Sequence, residues 1–277
     1  MGFLKGYTKQ EISWMMYDWA NSAHSVIVVT LLPIFFDSVA SCTADSVSSM
    51  STWGYATSIA MAIVALAAPF LGVFGDIRGM RKRLFALFMG VGVVAVALLS
   101  FTPLMDFTSS PAAAGRVAGL RLALYIVSVI GCDASAIYYD AFLTDITTED
   151  RMDRVSTMGY GLGYIGGSTI PLVIFLVMNL VGIPMLTCLA VIFAVTAVWW
   201  LGFSLPLRKN CRQTSGKPYE KGDVGRSIRG VGATIREIIA NKPMLVYILA
   251  YFFYIDGVHT VISMATTYGT NLGLDST

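Results

Sequence analysis

Charged residues are scarce in this chain. Asp, Glu, Lys and Arg make up 13% of its 277 residues, while 56% are hydrophobic. An ordinary soluble domain is about a quarter charged, and a soluble core of this length would show shorter apolar runs broken by amphipathic periodicity. The composition therefore excludes an ordinary soluble domain. The net charge of +2 says little about partners, and no nucleic-acid partner is expected.

Cysteine and histidine are also too few and too scattered to form a metal site. The two histidines have no second His or Cys ligand near them in the sequence. The four cysteines have neither metal-ligand nor disulfide spacing, so they are interpreted as small apolar fillers. No metal, no cofactor and no cleavable signal peptide are therefore expected. These residues are His24, His259, Cys42, Cys132, Cys188 and Cys211.

Long apolar runs are what the chain has in abundance. Seven of them reach the ~20 residues that a helix needs to cross a ~30 Å hydrocarbon core. The sequence therefore predicts an all-α membrane protein with seven transmembrane spans. We place the spans at 12–36, 53–75, 84–105, 117–142, 156–178, 183–206 and 244–266.

Positive charge is concentrated on one side of these spans. With the N-terminus in the cytoplasm, all but two of the 19 Lys and Arg residues fall on inside segments. The two exceptions are Arg116 and Arg121, at the outer end of span four. Because cytoplasmic loops hold an excess of Lys and Arg, we expect the N-terminus inside and the C-terminus outside. Outer loops are then expected at 37–52 and 106–115.

The basic stretch at 207–243 is interpreted as a cytoplasmic linker. It would separate a six-helix bundle at 1–206 from a second unit at 244–277, which holds one span and the start of an outer loop. A break is expected near 215–218. A short amphipathic helix around 224–239 could lie on the membrane surface, where its basic residues would meet anionic lipid.

An internal repeat supports the division into two units. Four polar residues of span one recur in span seven at the same offsets of i, i+3, i+4 and i+7, which place them on one helical face. Transporters built from repeated halves show such faint symmetry. The two sets are Asp18, Asn21, Ser22 and Ser25, and Asp256, His259, Thr260 and Ser263.

Glycine and charge alternate in the loop after span two, at 72–83. Gly72 would allow close helix contact, and Gly79 would allow a tight turn. Asp76 could cap or salt-bridge a neighbouring helix end. Arg81 and Lys82 would hold the loop at the lipid headgroups.

This loop resembles the cytoplasmic signature loop of the major facilitator superfamily, Gly-x-Leu-x-Asp-Arg-x-Gly-Arg-Arg, although Ile77 replaces the usual basic residue. In that family the loop latches one half of the transporter against the other. Segments 17–22, 138–146 and 159–167 are similar to the vacuole-effluxer-like branch. That branch includes bacterial transporters of unassigned substrate and the fungal vacuolar amino-acid effluxer linked to autophagy.

The resemblance implies a major-facilitator-type architecture of twelve spans. The chain would then hold the six-helix N-terminal bundle plus the first helix of the second bundle. We interpret it as an N-terminal fragment and expect residues 1–277 alone to be inactive, because half of the cavity wall would be missing.

Acidic residues inside predicted spans are candidates for the transport pathway. An ionised group at the bilayer centre costs at least ~2.5–3.5 kcal/mol, so such residues usually face water, form pairs or carry protons. Asp133 and Asp140 are seven residues apart and share a face of span four. Burial would let these carboxyls bind and release protons near neutral pH. The candidate pathway residues are Asp18, Asn21, Ser22, Ser25, Asp133, Tyr139, Asp140, Asp256 and His259.

Small residues and tryptophans carry the remaining interpretations. Gly159, Gly163 and Gly167 form a small-xxx-small stripe in span five that permits close helix packing. The alternative, an exchanger-type bend in that span, would need a Gly-Pro pair that is missing. Four tryptophans near span ends are interpreted as interfacial belt residues. They are Trp14, Trp53, Trp199 and Trp200.

These features favour a secondary transporter that works by alternating access and is coupled to protons, and no enzymatic activity is expected. By resemblance, its solute would be small, polar and amino-acid-like. Its membrane would be a bacterial inner membrane or a eukaryotic vacuolar or other endomembrane.

Two alternatives stay open at this point. A seven-span receptor fits the span count but would place the N-terminus outside. An intramembrane aspartyl protease could use Asp18, Asp76 or Asp140, but it needs two carboxylates that face one another. The Gly-x-Gly-Asp form is absent.

Overall fold

The computed structural model describes residues 4–40, 46–216, 218 and 223–271. Over these ranges the chain is almost entirely helical and contains no β-strand. Its α-helices are α1 (Lys9–Ala40), α2 (Ser46–Gly75), α3 (Met80–Leu99), α4 (Pro111–Ile146), α5 (Met152–Leu162), α6 (Thr169–Leu180), α7 (Met185–Asn210), α8 (Asp223–Ala240) and α9 (Lys242–Asn271).

Seven segments of the described chain are long and apolar enough to cross a membrane. They correspond one to one with the seven predicted spans, so this prediction is confirmed. The fifth span is composite, since a π-helical turn at Gly163–Ser168 joins α5 to α6. Short 3₁₀ turns at Thr102–Leu104 and Glu149–Arg151 flank α4. The helix α8 is not among the seven candidates.

The predicted outer loops at 37–52 and 106–115 are too long. The helix α1 continues to Ala40, α2 begins at Ser46, and α4 begins at Pro111. Ser110 caps α4 by accepting a hydrogen bond from the Ala113 amide at 3.2 Å, and proline is well suited to a first helical turn. Hydropathy marks only the hydrocarbon depth, whereas a capped helix continues into the headgroup region.

The helix α1 is the centre of the bundle. It packs against α2, α4, α7, α9 and the composite fifth span. Outside this centre, α3 packs against α4 and α7. Gly92 of α3 and Gly131 of α4 allow the closest approach, because a Cβ on Gly131 would lie 2.6 Å from the Gly92 amide nitrogen. These two glycines were not among the predicted packing residues.

The predicted tryptophan belt is wrong for three of its four members. Trp14, Trp53 and Trp200 are at most 2% exposed, and Trp199 is half-buried. Their helices meet in the bundle centre, so the large rings fill interior space. Trp53, for example, packs on Tyr125 with 4.3 Å between ring centroids.

The predicted amphipathic segment is helical, as α8 shows. The preceding part of the linker differs from expectation. Residues 207–210 complete α7, and 211–216 run back across the loop between α2 and α3. Cys132, Cys188 and Cys211 are buried and unbridged, whereas Cys42 lies outside the described residues.

Candidate functional site

A buried carboxylate joins α1 to α4. Asp18 is 8% exposed, and its Oδ2 accepts a hydrogen bond from the Tyr139 hydroxyl at 2.8 Å. The Tyr139 ring stacks on Trp14 with 4.3 Å between centroids. The Trp14 indole N–H donates to the Tyr139 carbonyl at 2.9 Å. These contacts hold the tyrosine so that its hydroxyl points at the carboxylate.

The glycine stripe of the fifth span lies directly against this carboxylate. A Cβ on Gly159 would lie 2.6 Å from Asp18 Oδ2, and a Cβ on Gly163 would lie 2.6 Å from Ser22 Oγ. A Cβ on Gly167 would lie 2.5 Å from the Trp19 carbonyl oxygen. The fifth span therefore approaches α1 at backbone distance, as expected for such a stripe. This contact includes the π-helical turn, a feature frequent at functional sites.

Two further carboxylates occupy one face of α4. Asp133 is partly exposed and Asp140 is exposed, and Asp140 is close enough to interact electrostatically with Asp18. In the part of the chain that the structure describes, no Lys, Arg or His forms an ion pair with any of these three acids. The structure thus brings together three unpaired acids on two neighbouring helices.

The other predicted pathway residues fall into two groups. Asn21 and Ser22 of α1 are half-buried beside Asp18, while Ser25 is exposed and its hydroxyl donates to the Asn21 carbonyl at 3.4 Å. On α9, Asp256 is exposed and does not join the cluster. The His259 side chain lies outside the part of the structure that is described.

The signature loop is built around an inward-facing arginine. Arg81 is 5% exposed, so the expectation that it reaches the headgroups is wrong. Its guanidinium forms an ion pair with Asp145 and donates to the Ala141 carbonyl at 2.9 Å. A paired carboxylate and a helix-end carbonyl offset the cost of burying this charge. Asp76 lies 3.7 Å from the same guanidinium, which agrees with the expected salt bridge.

Two glycines of the loop differ in role. Gly79 has a φ of +81° immediately before α3, the left-handed conformation that the expected tight turn requires. No atom lies within 4 Å of a Cβ built on Gly72, so the expected close helix contact is absent there within the described chain. Gly75 makes it instead, at 3.0 Å from the Tyr138 ring, because the helices cross one turn later.

The start of the linker is fixed to this loop through residues 210–216, called here the docked segment. The amides and hydroxyls of Thr214 and Ser215 all donate to Asp145 Oδ1, at 2.7–3.0 Å. Gln213 donates to the Gly75 carbonyl at 3.0 Å and accepts from the Gly79 amide at 2.8 Å.

Two more residues tie the docked segment to the bundle. Lys82 donates to the Cys211 carbonyl at 3.1 Å, so this lysine contacts the linker rather than only the lipid surface. Burial raises the pKa of the Cys211 thiol to about 12. Sequence reasoning missed the role of Asp145; its one signal was a single acid closing an apolar helix opposite a basic loop.

A second ion pair, also missed, fixes the start of α1. Arg151 binds Glu11 through two nitrogens, each at 2.9 Å. Thr147 donates to the same carboxylate at 2.7 Å. Thr8 and Glu11 form a reciprocal capping box, the sequence signal that could have marked this helix start.

Comparison with known proteins agrees with this architecture. The chain is 39% identical over 281 residues to an uncharacterised transporter of the major facilitator type, YxiO of Bacillus subtilis, an alignment that covers 99% of this chain and 63% of the relative. Autophagy-related protein 22-1 of Penicillium rubens is 26% identical over 125 residues, covering 42% of this chain and 21% of that protein. Autophagy-related protein 22-2 of Aspergillus clavatus is 27% identical over 126 residues, covering 42% and 20%. No solved structure matches the chain.

The chain therefore spans less than two thirds of the length of these relatives. Seven membrane-length helices and the signature loop, together with the YxiO match, define an integral multi-pass membrane protein of the major-facilitator transporter type. Residues 7–276 match the model of the family described as vacuole effluxer Atg22 like. The chain belongs to that family, which confirms the resemblance seen in its motifs.

Proposed function

We propose that this protein is a secondary active transporter that moves a small polar solute by alternating access, driven by protons. The observation that carries the proposal is the cluster of Asp18, Asp133 and Asp140, unpaired acids on α1 and α4. An amino-acid-like solute is proposed from the resemblance to the vacuolar effluxers.

Unpaired acids support transport because they are costly in a membrane. An ionised carboxylate at the bilayer centre costs at least ~2.5–3.5 kcal/mol, and such residues usually face the bundle interior or a water-filled cavity. The exposed side of Asp140 and the partial exposure of Asp133 fit a hydrated surface on α4. The same carboxyls could lose their charge by binding a proton.

The contact between Asp18 and Tyr139 offers a way to couple protons to helix movement. An ionised carboxylate only accepts hydrogen bonds, whereas a protonated one can also donate. Proton binding at Asp18 would therefore change its contact with Tyr139 and the α1–α4 packing with it. We assign Asp256 and His259 to the same pathway from the second unit, on the basis of the sequence repeat.

The glycine stripe and the signature loop would serve the movement itself. Gly159 and Gly163 remove the side chains that would otherwise interlock α1 with the fifth span, which favours sliding between them. The ion pair of Arg81 with Asp145, beside Asp76, is a group of charges that could exchange partners when the inner side opens. We therefore assign the loop to a cytoplasmic gate.

The experiment is transport by the full-length protein in proteoliposomes, screened over amino acids with and without a pH gradient. Asp133→Asn should lower gradient-driven uptake at least about tenfold, as loss of a coupling proton requires, and lower counterflow exchange less. Asp150→Asn, a change of the same kind in an exposed turn, is the matched control. Equal loss of both activities in Asp133→Asn would show that this carboxylate binds solute or supports the fold.

Catalysis is not part of the proposal. Family membership and the relatives favour neither the seven-span receptor nor the intramembrane aspartyl protease. Of the protease candidates, Asp76 is 81% exposed at its side chain and Asp18 is engaged by Tyr139. The solute, the protons and the surrounding lipid are the partners that we propose.

A further inference from the structure

The position of α8 is restricted by the membrane span that follows it. A single residue, Asn241, separates α8 from α9, and it makes a close turn: its amide donates to the Glu237 carbonyl at 3.0 Å, and its side chain accepts from the Met244 amide at 3.3 Å. The helix α9 is a candidate span and α8 is not. Since α8 also contacts α2, its C-terminal end must lie at the membrane surface.

One face of α8 is apolar and only partly covered. Val231, Ile235, Ile238 and Ile239 follow the i, i+4, i+7, i+8 spacing of a single helical face. Val231 and Ile238 are half-buried. Ile235 and Ile239 are 50% and 59% exposed. The described chain therefore covers one edge of this face and leaves the other edge open.

Basic residues flank the open edge. Arg236 is exposed beside Ile235, and Arg229 precedes it by seven residues, on the same strip of the helix. Across 208–242 the sequence has nine Lys or Arg and three Asp or Glu. Long basic side chains beside an apolar strip reach the depth of lipid phosphates while their stems cover acyl chains.

We propose that α8 is a docking surface for the anionic lipid of the cytoplasmic leaflet. Acyl chains cover Ile235 and Ile239, and lipid phosphates bind Arg229 and Arg236. Charge complementarity and the one-residue connection to α9 favour a bilayer surface over a soluble protein partner. The inference does not depend on the solute or on proton coupling; it needs only that α9 spans the membrane.

Amide hydrogen exchange of the full-length protein in nanodiscs tests this proposal. Amides of 223–240 should exchange more slowly in phosphatidylcholine with phosphatidylglycerol than in phosphatidylcholine alone. Each arginine should contribute about fivefold, the effect of one basic residue near an anionic surface. The double variant Arg229→Gln with Arg236→Gln should abolish the lipid difference. Arg83→Gln, also exposed, should leave it unchanged.

Three further arms make the result decisive. Ile235→Gln with Ile239→Gln should speed exchange of α8 in both lipids, while exchange of α4 reports that the fold is intact. High salt should reduce the lipid difference, since it screens exposed charges. Equal exchange of α8 in the two nanodiscs would overturn the proposal. So would protection by inorganic phosphate, or by added cytosolic protein, in neutral lipid.

Discussion

At the scale of single residues, the missing Cβ atoms of the fifth span decide how closely it approaches α1. Gly163 and Gly161 are two residues apart, yet their environments are opposite. A Cβ on Gly163 would lie 2.6 Å from Ser22 Oγ and 3.2 Å from the Asp18 carbonyl oxygen. A Cβ on Gly161 would meet nothing within 4 Å.

Alanine at these two positions should therefore have opposite effects. Gly163→Ala should lower the free energy of unfolding by roughly 1–3 kcal/mol, because it overpacks a helix contact. Gly161→Ala should leave stability unchanged or raise it by about 0.5–1 kcal/mol, because alanine favours the helix. Thermal unfolding of both variants in detergent measures the difference. If the two variants unfold at the same temperature, the described α1–α5 contact is wrong.

Sequence reasoning at this scale predicted residue types better than their neighbours. The acids of the predicted spans do lie in membrane helices, but the Tyr139 partner of Asp18 depends on how α1 crosses α4. The same limit explains why Gly75 rather than Gly72 makes the helix contact. It also explains the tryptophan error, since Trp14 and Trp200 sit near span ends but on faces that other helices cover.

At the scale of elements, Asp145 connects three parts of the cytoplasmic side. It pairs with Arg81 at the start of α3, closes α4, and accepts four hydrogen bonds from Thr214 and Ser215 of the docked segment. These contacts join residues 64 to 70 positions apart. Periodicity cannot reveal them, because 211–216 has no repeating pattern. The spans themselves were predictable because each is one continuous apolar run.

Loss of the Asp145 charge should release this junction. Asp145→Asn leaves Arg81 buried without its carboxylate, which should destabilise the fold by roughly 3–5 kcal/mol. Asp76→Asn removes the exposed partner of the same arginine and should cost about 0–1 kcal/mol. Unfolding midpoints measure both, and limited proteolysis within 208–222 should be faster only in Asp145→Asn.

A second double change guards against misreading that result. Arg81→Met combined with Asp145→Leu should recover part of the lost stability, because the buried arginine is removed with its partner. Protease sensitivity of the linker should persist in this variant, since the acceptor for Thr214 and Ser215 is still missing. A linker that stays protected in both variants would argue that the docked segment is held by other contacts.

At the scale of the whole molecule, the charge asymmetry has a structural counterpart. The Arg81 and Arg151 ion pairs lie at the side where positive charge accumulates. Arg121, one of the two exceptions, is fully buried; it stacks 3.4 Å from the Phe35 ring and donates to the Phe35 and Thr102 carbonyls. It thus caps helix ends instead of charging an outer loop. Arg116 is the exposed exception.

Orientation can be tested by cysteine labelling of intact cells. Ser109→Cys, in the exposed turn before α4, should react with a membrane-impermeant maleimide from outside. Arg83→Cys should react only after the membrane is opened. Maleimides attack the thiolate, so Cys211, whose pKa burial raises to about 12, should contribute no background. Cys42→Ser removes the cysteine outside the described residues.

The paired design makes the outcome decisive. Labelling of Ser109→Cys before lysis and of Arg83→Cys only after lysis places α4 with its first turn outside. The N-terminus is then cytoplasmic, because three crossings separate it from that turn. The reverse pattern would place the basic signature loop outside, against the rule that positive loops stay inside. The gate role proposed for Arg81 and Asp76 would then belong to the opposite face of the membrane, and the anionic-lipid surface proposed for α8 would fail with it.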